Sequence, residues 1–171
     1  MKQFLKNNLF IISCFLVPIL YFWDPNWLSI MGVRPYWSIY WLFPFAIMYG
    51  YLDGIILALF MGIILDSLNP SPYTHIPGLI LCGFWFARLG KYKNVSFNRL
   101  KFGLFCSIGS LICGLSYYIQ VILRHFSERG FFWFSYGIRN LFAQVLITGL
   151  LAPIICSWLL ILFNKRNTKI P

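Results

Sequence analysis

The chain has 171 residues and a net charge of +10. Of these residues, 60% are apolar, 20% are aromatic and only 11% are charged. An ordinary soluble domain carries about 25% charged residues, so the composition excludes that class and predicts an integral membrane protein. The apolar runs are continuous instead of alternating, which predicts spanning helices and not a membrane barrel, because backbone groups in hydrocarbon must be paired internally.

Six apolar segments predict six transmembrane helices in a single domain, residues 1–171. The first is interpreted as an uncleaved anchor, since the turn DPNW follows it in place of a cleavage site. The second and third run together for about 45 Å of helix against a hydrocarbon core of ~30 Å, so we predict two spans with a turn at GYLDG. The predicted spans are 9–23, 36–51, 54–68, 77–89, 102–123 and 141–163.

The positive charges favour six spans over five. With six spans and a cytoplasmic N terminus, ten of the fourteen Lys and Arg residues fall on the cytoplasmic side, as the positive-inside rule requires. If segments two and three were one helix, the basic loop 88–101 and the basic tail could not both share the side of the N terminus. We therefore expect both termini in the cytoplasm.

The basic residues lie between apolar runs or at the chain ends, where they would meet lipid headgroups. We therefore predict membrane lipids as partners and no nucleic acid. The five cysteines lie inside apolar runs without zinc-site spacing, and we expect them to be packing residues. The sequence contains no P-loop and no nucleophile elbow, and we predict no enzyme activity, no metal and no cofactor.

A ladder of small residues runs through GIILALFMGIILD. Gly54, Ala58 and Gly62 follow at intervals of four and lead to Asp66, so all four share one helix face. Small residues let helix backbones approach closely in lipid, which predicts either packing within the chain or docking of a partner helix. Asp53 is interpreted as part of the GYLDG turn.

Asp66 is the carboxylate that we place at membrane depth, where a charge is costly and faces away from lipid. Two interpretations stay open: a site that organises the corner with the next helix or contacts a partner protein, or an interfacial residue bonded to its own turn. The possible hydrogen-bond partners are nearby hydroxyls, the free N–H groups at the start of the next helix, or Arg139.

Residues 34–90 read RPYWSIYWLFPFAIMYGYLDGIILALFMGIILDSLNPSPYTHIPGLILCGFWFARLG. The order of features in this stretch resembles the rod shape-determining protein MreD family of bacteria. That order is a Pro–aromatic–apolar–Trp segment, then Gly-rich apolar turns ending in Asp, then a short loop and a new span. The matching positions are Pro35, Gly54, Gly62 and Asp66. The closely spaced prolines of NPSP depart from the family pattern.

The resemblance implies a six-helix bundle similar to the S-component fold of energy-coupling-factor vitamin transporters. It also implies a non-enzymatic inner-membrane scaffold that binds MreC and, through that complex, supports MreB and the peptidoglycan synthases; a homo-oligomer is possible. The alternative function is a small-molecule-binding subunit of such a transporter. For a binding pocket the sequence offers Gln120, Gln144, Thr148 and several tyrosines.

Overall fold

The computed structural model describes residues 19, 29, 32–69, 72–91, 99–125 and 130–167, and the fold of this part is all-helical. Five helices follow the predicted spans two to six. The predicted first span lies outside the described residues, except for Ile19. The helices are α1 (Trp37–Tyr49), α2 (Tyr51–Leu68), α3 (Ile76–Lys91), α4 (Arg99–His125) and α5 (Gly130–Asn167).

Three of these helices contain stretches long and apolar enough to cross a membrane, namely 51–68, 100–124 and 137–161. The described part of the chain therefore has the helices of a multi-pass membrane protein. Helix α3 is apolar but shorter, and α1 has only 13 residues. At 1.5 Å per residue α1 is about 20 Å long, which is less than the ~30 Å hydrocarbon core.

Predicted segments two and three are separate helices, and Gly50 alone joins them. Gly50 has a φ of 93°, a backbone conformation that glycine adopts without steric penalty. The assignment of Asp53 to a turn is wrong, because Asp53 lies in the first turn of α2. A carboxylate there stabilises the helix by facing the partial positive charge of its N terminus.

Helix α1 is the centre of the bundle and packs against all four other helices. Residues 38–46 are all buried, which a helix that is apolar on every side requires. The ring of Phe43 contacts the ring of Phe86 on α3 edge-on, with centroids 5.0 Å apart. Helix α2 lies at the edge of the bundle, where it packs mainly against α1 and α3.

Four buried cysteines form two close pairs inside the bundle. The sulfur atoms of Cys82 and Cys113 are 3.5 Å apart and join α3 to α4. Those of Cys106 and Cys156 are 3.6 Å apart and join α4 to α5. These four residues fill the interior as expected, and Cys14 lies outside the described residues.

Mild oxidation with membrane-permeable iodine should convert each pair into an intrachain disulfide, because the sulfurs need to move by only ~1.5 Å to reach bonding distance. Peptide mapping of the denatured, alkylated chain should recover Cys82 linked to Cys113 and Cys106 linked to Cys156. The variant Cys82→Ser should retain only the second link. A link from Cys82 to Cys106 would contradict the arrangement of α3 and α4.

Candidate functional site at the α2–α3 corner

Asp66 lies near the end of α2, where the chain turns back into α3. Its Oδ1 accepts a hydrogen bond of 2.8 Å from the backbone N–H of His75. The carbonyl of His75 in turn accepts the first bond of α3, from the N–H of Leu79 at 3.2 Å. His75 is thus the N-cap residue of α3 and Asp66 caps it from the neighbouring helix, where a negative charge is stabilising.

The other carboxylate oxygen of Asp66, Oδ2, is buried and has no hydrogen-bond partner within the described residues. Leaving such a group unpaired costs about 1–3 kcal/mol, and folded proteins contain few of them. Capping of α3 therefore uses only half of the hydrogen-bonding capacity of Asp66.

The side chain of His75 joins the corner to two further helices. Tyr36 Oη and His75 Nδ1 share a hydrogen bond of 3.0 Å, and the imidazole stacks on the ring of Tyr117 of α4 with centroids 5.0 Å apart. Tyr36 immediately precedes α1, and its backbone N–H donates to Thr148 Oγ1 of α5 at 3.2 Å. One chain of contacts therefore links Asp66 to all five helices.

Thr148 is fully buried, and its hydrogen bonds are made within the bundle. Its hydroxyl donates to the carbonyl of Gln144 at 2.7 Å, and its carbonyl accepts from Tyr40 Oη at 3.1 Å. Thr148 therefore fixes α1 against α5, and it is not one of the residues that line the cavity described below.

Helix α4 holds the loop that carries His75. The side-chain amide of Gln120 pairs with both backbone groups of Thr74, accepting from its N–H at 3.0 Å and donating to its carbonyl at 2.9 Å. Arg124 Nη1 donates to the carbonyl of Pro72 at 3.4 Å. Gln120 therefore secures a loop, and the second proline of NPSP supplies a contact to α4.

The small-residue face of α2 is filled by the chain's own helices. A Cβ placed on Gly54 would lie 2.9 Å from the Cβ of Ala46 on α1 and 3.3 Å from the carbonyl oxygen of Gly83 on α3. A Cβ on Gly62 would lie 2.8 Å from Ile76 Cγ1, and Ala58 is fully buried. The contacts favour packing within the chain, and a partner helix would have to dock elsewhere.

Pro35 is buried two residues before the start of α1, and its carbonyl accepts a hydrogen bond of 3.0 Å from the N–H of Trp37. It positions Tyr36 at the corner. Tyr36 and His75 were both missed by the sequence reasoning, although each stands one residue before the start of a helix.

A cavity of about 410 Å³ opens beside the corner. Its walls come from residues 32–38, from the end of α2 and the start of α3, and from α4 and α5. The polar side chains that line it include Ser38, Asn140 and Gln144. Within the described residues, no group of three or more His, Cys, Asp or Glu residues could hold a metal ion.

Acidification should destabilise the fold through His75. Burial lowers the pKa of His75 below its ordinary value of 6.5, and the nearby Asp66 opposes this shift in part. The folded state therefore disfavours the protonated ring, so the stability contribution is complete above pH 6.5 and is lost as the pH falls through the lowered pKa.

The thermal midpoint of the protein in detergent should therefore drop between about pH 7.5 and about pH 5.5. The variant His75→Gln should lower the midpoint at neutral pH but flatten this pH dependence. An unchanged pH profile in that variant would assign the titration to a different group.

Comparisons with family models, with curated proteins and with solved structures give no match to this chain.

Proposed function

We propose that this chain is a non-enzymatic scaffold of the bacterial cell-elongation complex, similar to MreD. It resides in the inner membrane with six spans and both termini in the cytoplasm, binds an MreC-like single-span protein, and through it supports MreB-directed peptidoglycan synthesis. The proposal draws most support from residues 34–90, where the family resemblance lies. They form α1 to α3, with Pro35 before the central helix and Asp66 capping α3.

The connections between helices support a scaffold that works inside the bilayer. Among the described helices, one residue joins α1 to α2, and the other connections are the segments 69–75, 92–98 and 126–129, each of seven residues or fewer. Connections of this length favour a partner that meets these helices within the bilayer or at the headgroups, which suits the transmembrane helix of a single-span protein.

The outer face of α2 is the docking surface that we assign to this partner. Leu52, Ile56, Phe60 and Ile63 follow one another along that face and are between 45% and 77% exposed. The opposite face, with Gly54 and the rest of the ladder, is occupied. Helix α2 also lies at the edge of the bundle, so a helix can approach it without displacing another.

Photo-cross-linking in cells tests this surface. A photoreactive residue at Ile56 or Ile63 should give an adduct with the MreC-like protein. The same residue at Leu104 or Leu115 should give none, because these exposed positions lie on α4. Adducts from α4 alone would place the interface on α4 instead of α2. The absence of the MreC-like protein from every adduct would contradict the proposed partner.

Loss of the protein should round the cells, because wall elongation would lose its membrane anchor. Normal rod shape and normal wall insertion after clean deletion would contradict the scaffold function.

The alternative, a transporter subunit, requires an energy-coupling ATPase that co-purifies with the chain. Adjacent genes for MreB and MreC, or for such an ATPase, would distinguish the two functions.

A further inference from the structure

The outer face of α3 carries an apolar stripe that ends in a cation. Leu81, Phe84 and Arg88 are spaced three and four residues apart, so they share one face of the helix. Leu81 is 57% exposed and Phe84 is 49% exposed, and Arg88 is exposed as well. Arg88 stands about 6 Å beyond Phe84 toward the end of α3, so a charge follows the apolar part of this stripe.

Helix α4 carries a matching stripe that begins with a cation. Lys101, Leu104 and Ile108 are also spaced three and four residues apart. Leu104 is 64% exposed and Ile108 is 43% exposed, and Lys101 is half-buried. The cation therefore precedes the apolar part of the stripe in α4, whereas it follows the apolar part in α3.

The two helices run antiparallel, which brings both cations to the same end of the stripes. A Cβ placed on Gly78, in the first turn of α3, would lie 2.8 Å from Cys113 Cα in the second half of α4. Further along α3, the rings of Trp85 and Phe105 make a T-shaped contact with centroids 5.9 Å apart, and both are half-buried. The two stripes and this ring pair together form what we call the outer α3–α4 surface.

The positive charge of this surface is not neutralised by the described part of the chain. Neither Arg88 nor Lys101 forms a hydrogen bond or an ion pair with another described residue. Residues 88–101, which include both, contain five Lys and Arg residues and no Asp or Glu. The whole chain has 14 basic and four acidic residues, so pairing every acid with one base would still leave ten bases unpaired.

We propose that the outer α3–α4 surface binds an anionic phospholipid. Its phosphate binds Arg88 and Lys101, and its acyl chains lie along the two stripes. An apolar surface with cations at one end is complementary to a molecule with an apolar body and an anionic head, and basic residues at membrane-bordering helix ends attract anionic lipids. A water-soluble anion or an acidic protein segment would match the cations but leave the stripes uncovered. This inference does not rest on the scaffold function, and the surface is separate from the docking surface on α2.

Native mass spectrometry of the full chain tests the proposal with three probes. Phosphatidylglycerol is anionic, phosphatidylcholine with the same acyl chains has no net charge, and glycerol 3-phosphate carries the phosphate without chains. Wild-type protein should retain phosphatidylglycerol about tenfold more strongly than phosphatidylcholine, the order expected from two basic residues at the headgroups. Glycerol 3-phosphate should not be retained, because it cannot cover the stripes.

The double variant Arg88→Gln with Lys101→Gln should abolish this preference. Its thermal midpoint in lipid-free detergent should equal that of wild type, because neither side chain bonds to another described residue. The exchange variant Arg88→Lys with Lys101→Arg keeps both charges and should keep the preference. The matched control, Lys165→Gln with Lys169→Gln, removes the same charge from the basic tail and should also keep it.

Equal retention of the two lipids by wild-type protein would overturn the proposal, as would a preference that survives the double glutamine variant at Arg88 and Lys101. An equal loss of preference in the tail control would show that net charge, and not the outer α3–α4 surface, selects the lipid. Retention of glycerol 3-phosphate as strong as that of phosphatidylglycerol would show that the occupant is not a lipid.

Discussion

Replacing Gly54 by leucine should prevent the bundle from assembling. Gly54 lies where α1, α2 and α3 meet, and even a single added carbon would come within 2.9 Å of Ala46 Cβ and 3.3 Å of the Gly83 carbonyl oxygen. Neither neighbour can rotate away, because one is a methyl group fixed on its backbone and the other is backbone itself. Overpacking a core costs about 1–3 kcal/mol and occasionally more, and here a whole side chain must be placed.

The measurement is the fraction of protein that elutes as a single species from detergent, together with its thermal midpoint. The matched control is Ile56→Phe, which adds bulk two residues along the same helix on its exposed face. We expect the control to elute and melt as wild type does, and Gly54→Leu to aggregate or melt far lower. Ile56 lies on the proposed docking surface, so this control concerns folding alone. A well-folded Gly54→Leu protein that no longer captures the proposed partner would show instead that this face docks another helix.

Removing the carboxylate of Asp66 should loosen the start of α3. In Asp66→Ala the N–H of His75 loses its acceptor, and we expect a loss of about 1–2 kcal/mol in the free energy of unfolding. Asp66→Asn keeps an acceptor oxygen but removes the charge that faces the helix N terminus, so its loss should be smaller, about 0.3–1 kcal/mol. Hydrogen exchange of the backbone amides from His75 to Leu79 should report the local loosening.

The same pair of variants separates the two interpretations of Asp66. If the residue only caps α3, capture of the proposed MreC-like partner should follow stability, and Asp66→Asn should retain most of that capture. If Oδ2 also serves a partner, Asp66→Asn should lose capture while the midpoint stays near that of wild type. Unchanged exchange at His75 in Asp66→Ala would contradict the capping role itself.

The five described helices were largely predictable because long apolar runs in lipid have few alternatives to helix. The break near Gly50 was also predictable, since a single 30-residue span did not fit the bilayer. The length of the break was not predictable. Glycine and aspartate are common in turns, yet Gly54 allows close packing against α1 and α3, and Asp53 lies at the N terminus of α2. The turn preference of a residue type could not distinguish these roles.

The corner was predictable only in part. The spacing of the ladder placed Asp66 at the end of a packing face, and the start of the next helix was among the partners considered. Tyr36 and His75 are 39 positions apart, and their bond exists only because α1 and α3 are neighbours. The cavity is lined by residues of α1, α2, α4 and α5 and by His75 at the start of α3, so no local pattern in the sequence predicts it.

The joint at Gly50 has a mechanical consequence. A single residue spans at most about 3.6 Å, so the end of α1 and the start of α2 cannot separate. A displacement of α2 by a neighbouring protein would therefore have to be accommodated at the end of α1, the helix at the centre of the bundle. The opposite end of that helix, with Tyr36 and Trp37, forms part of the wall of the cavity.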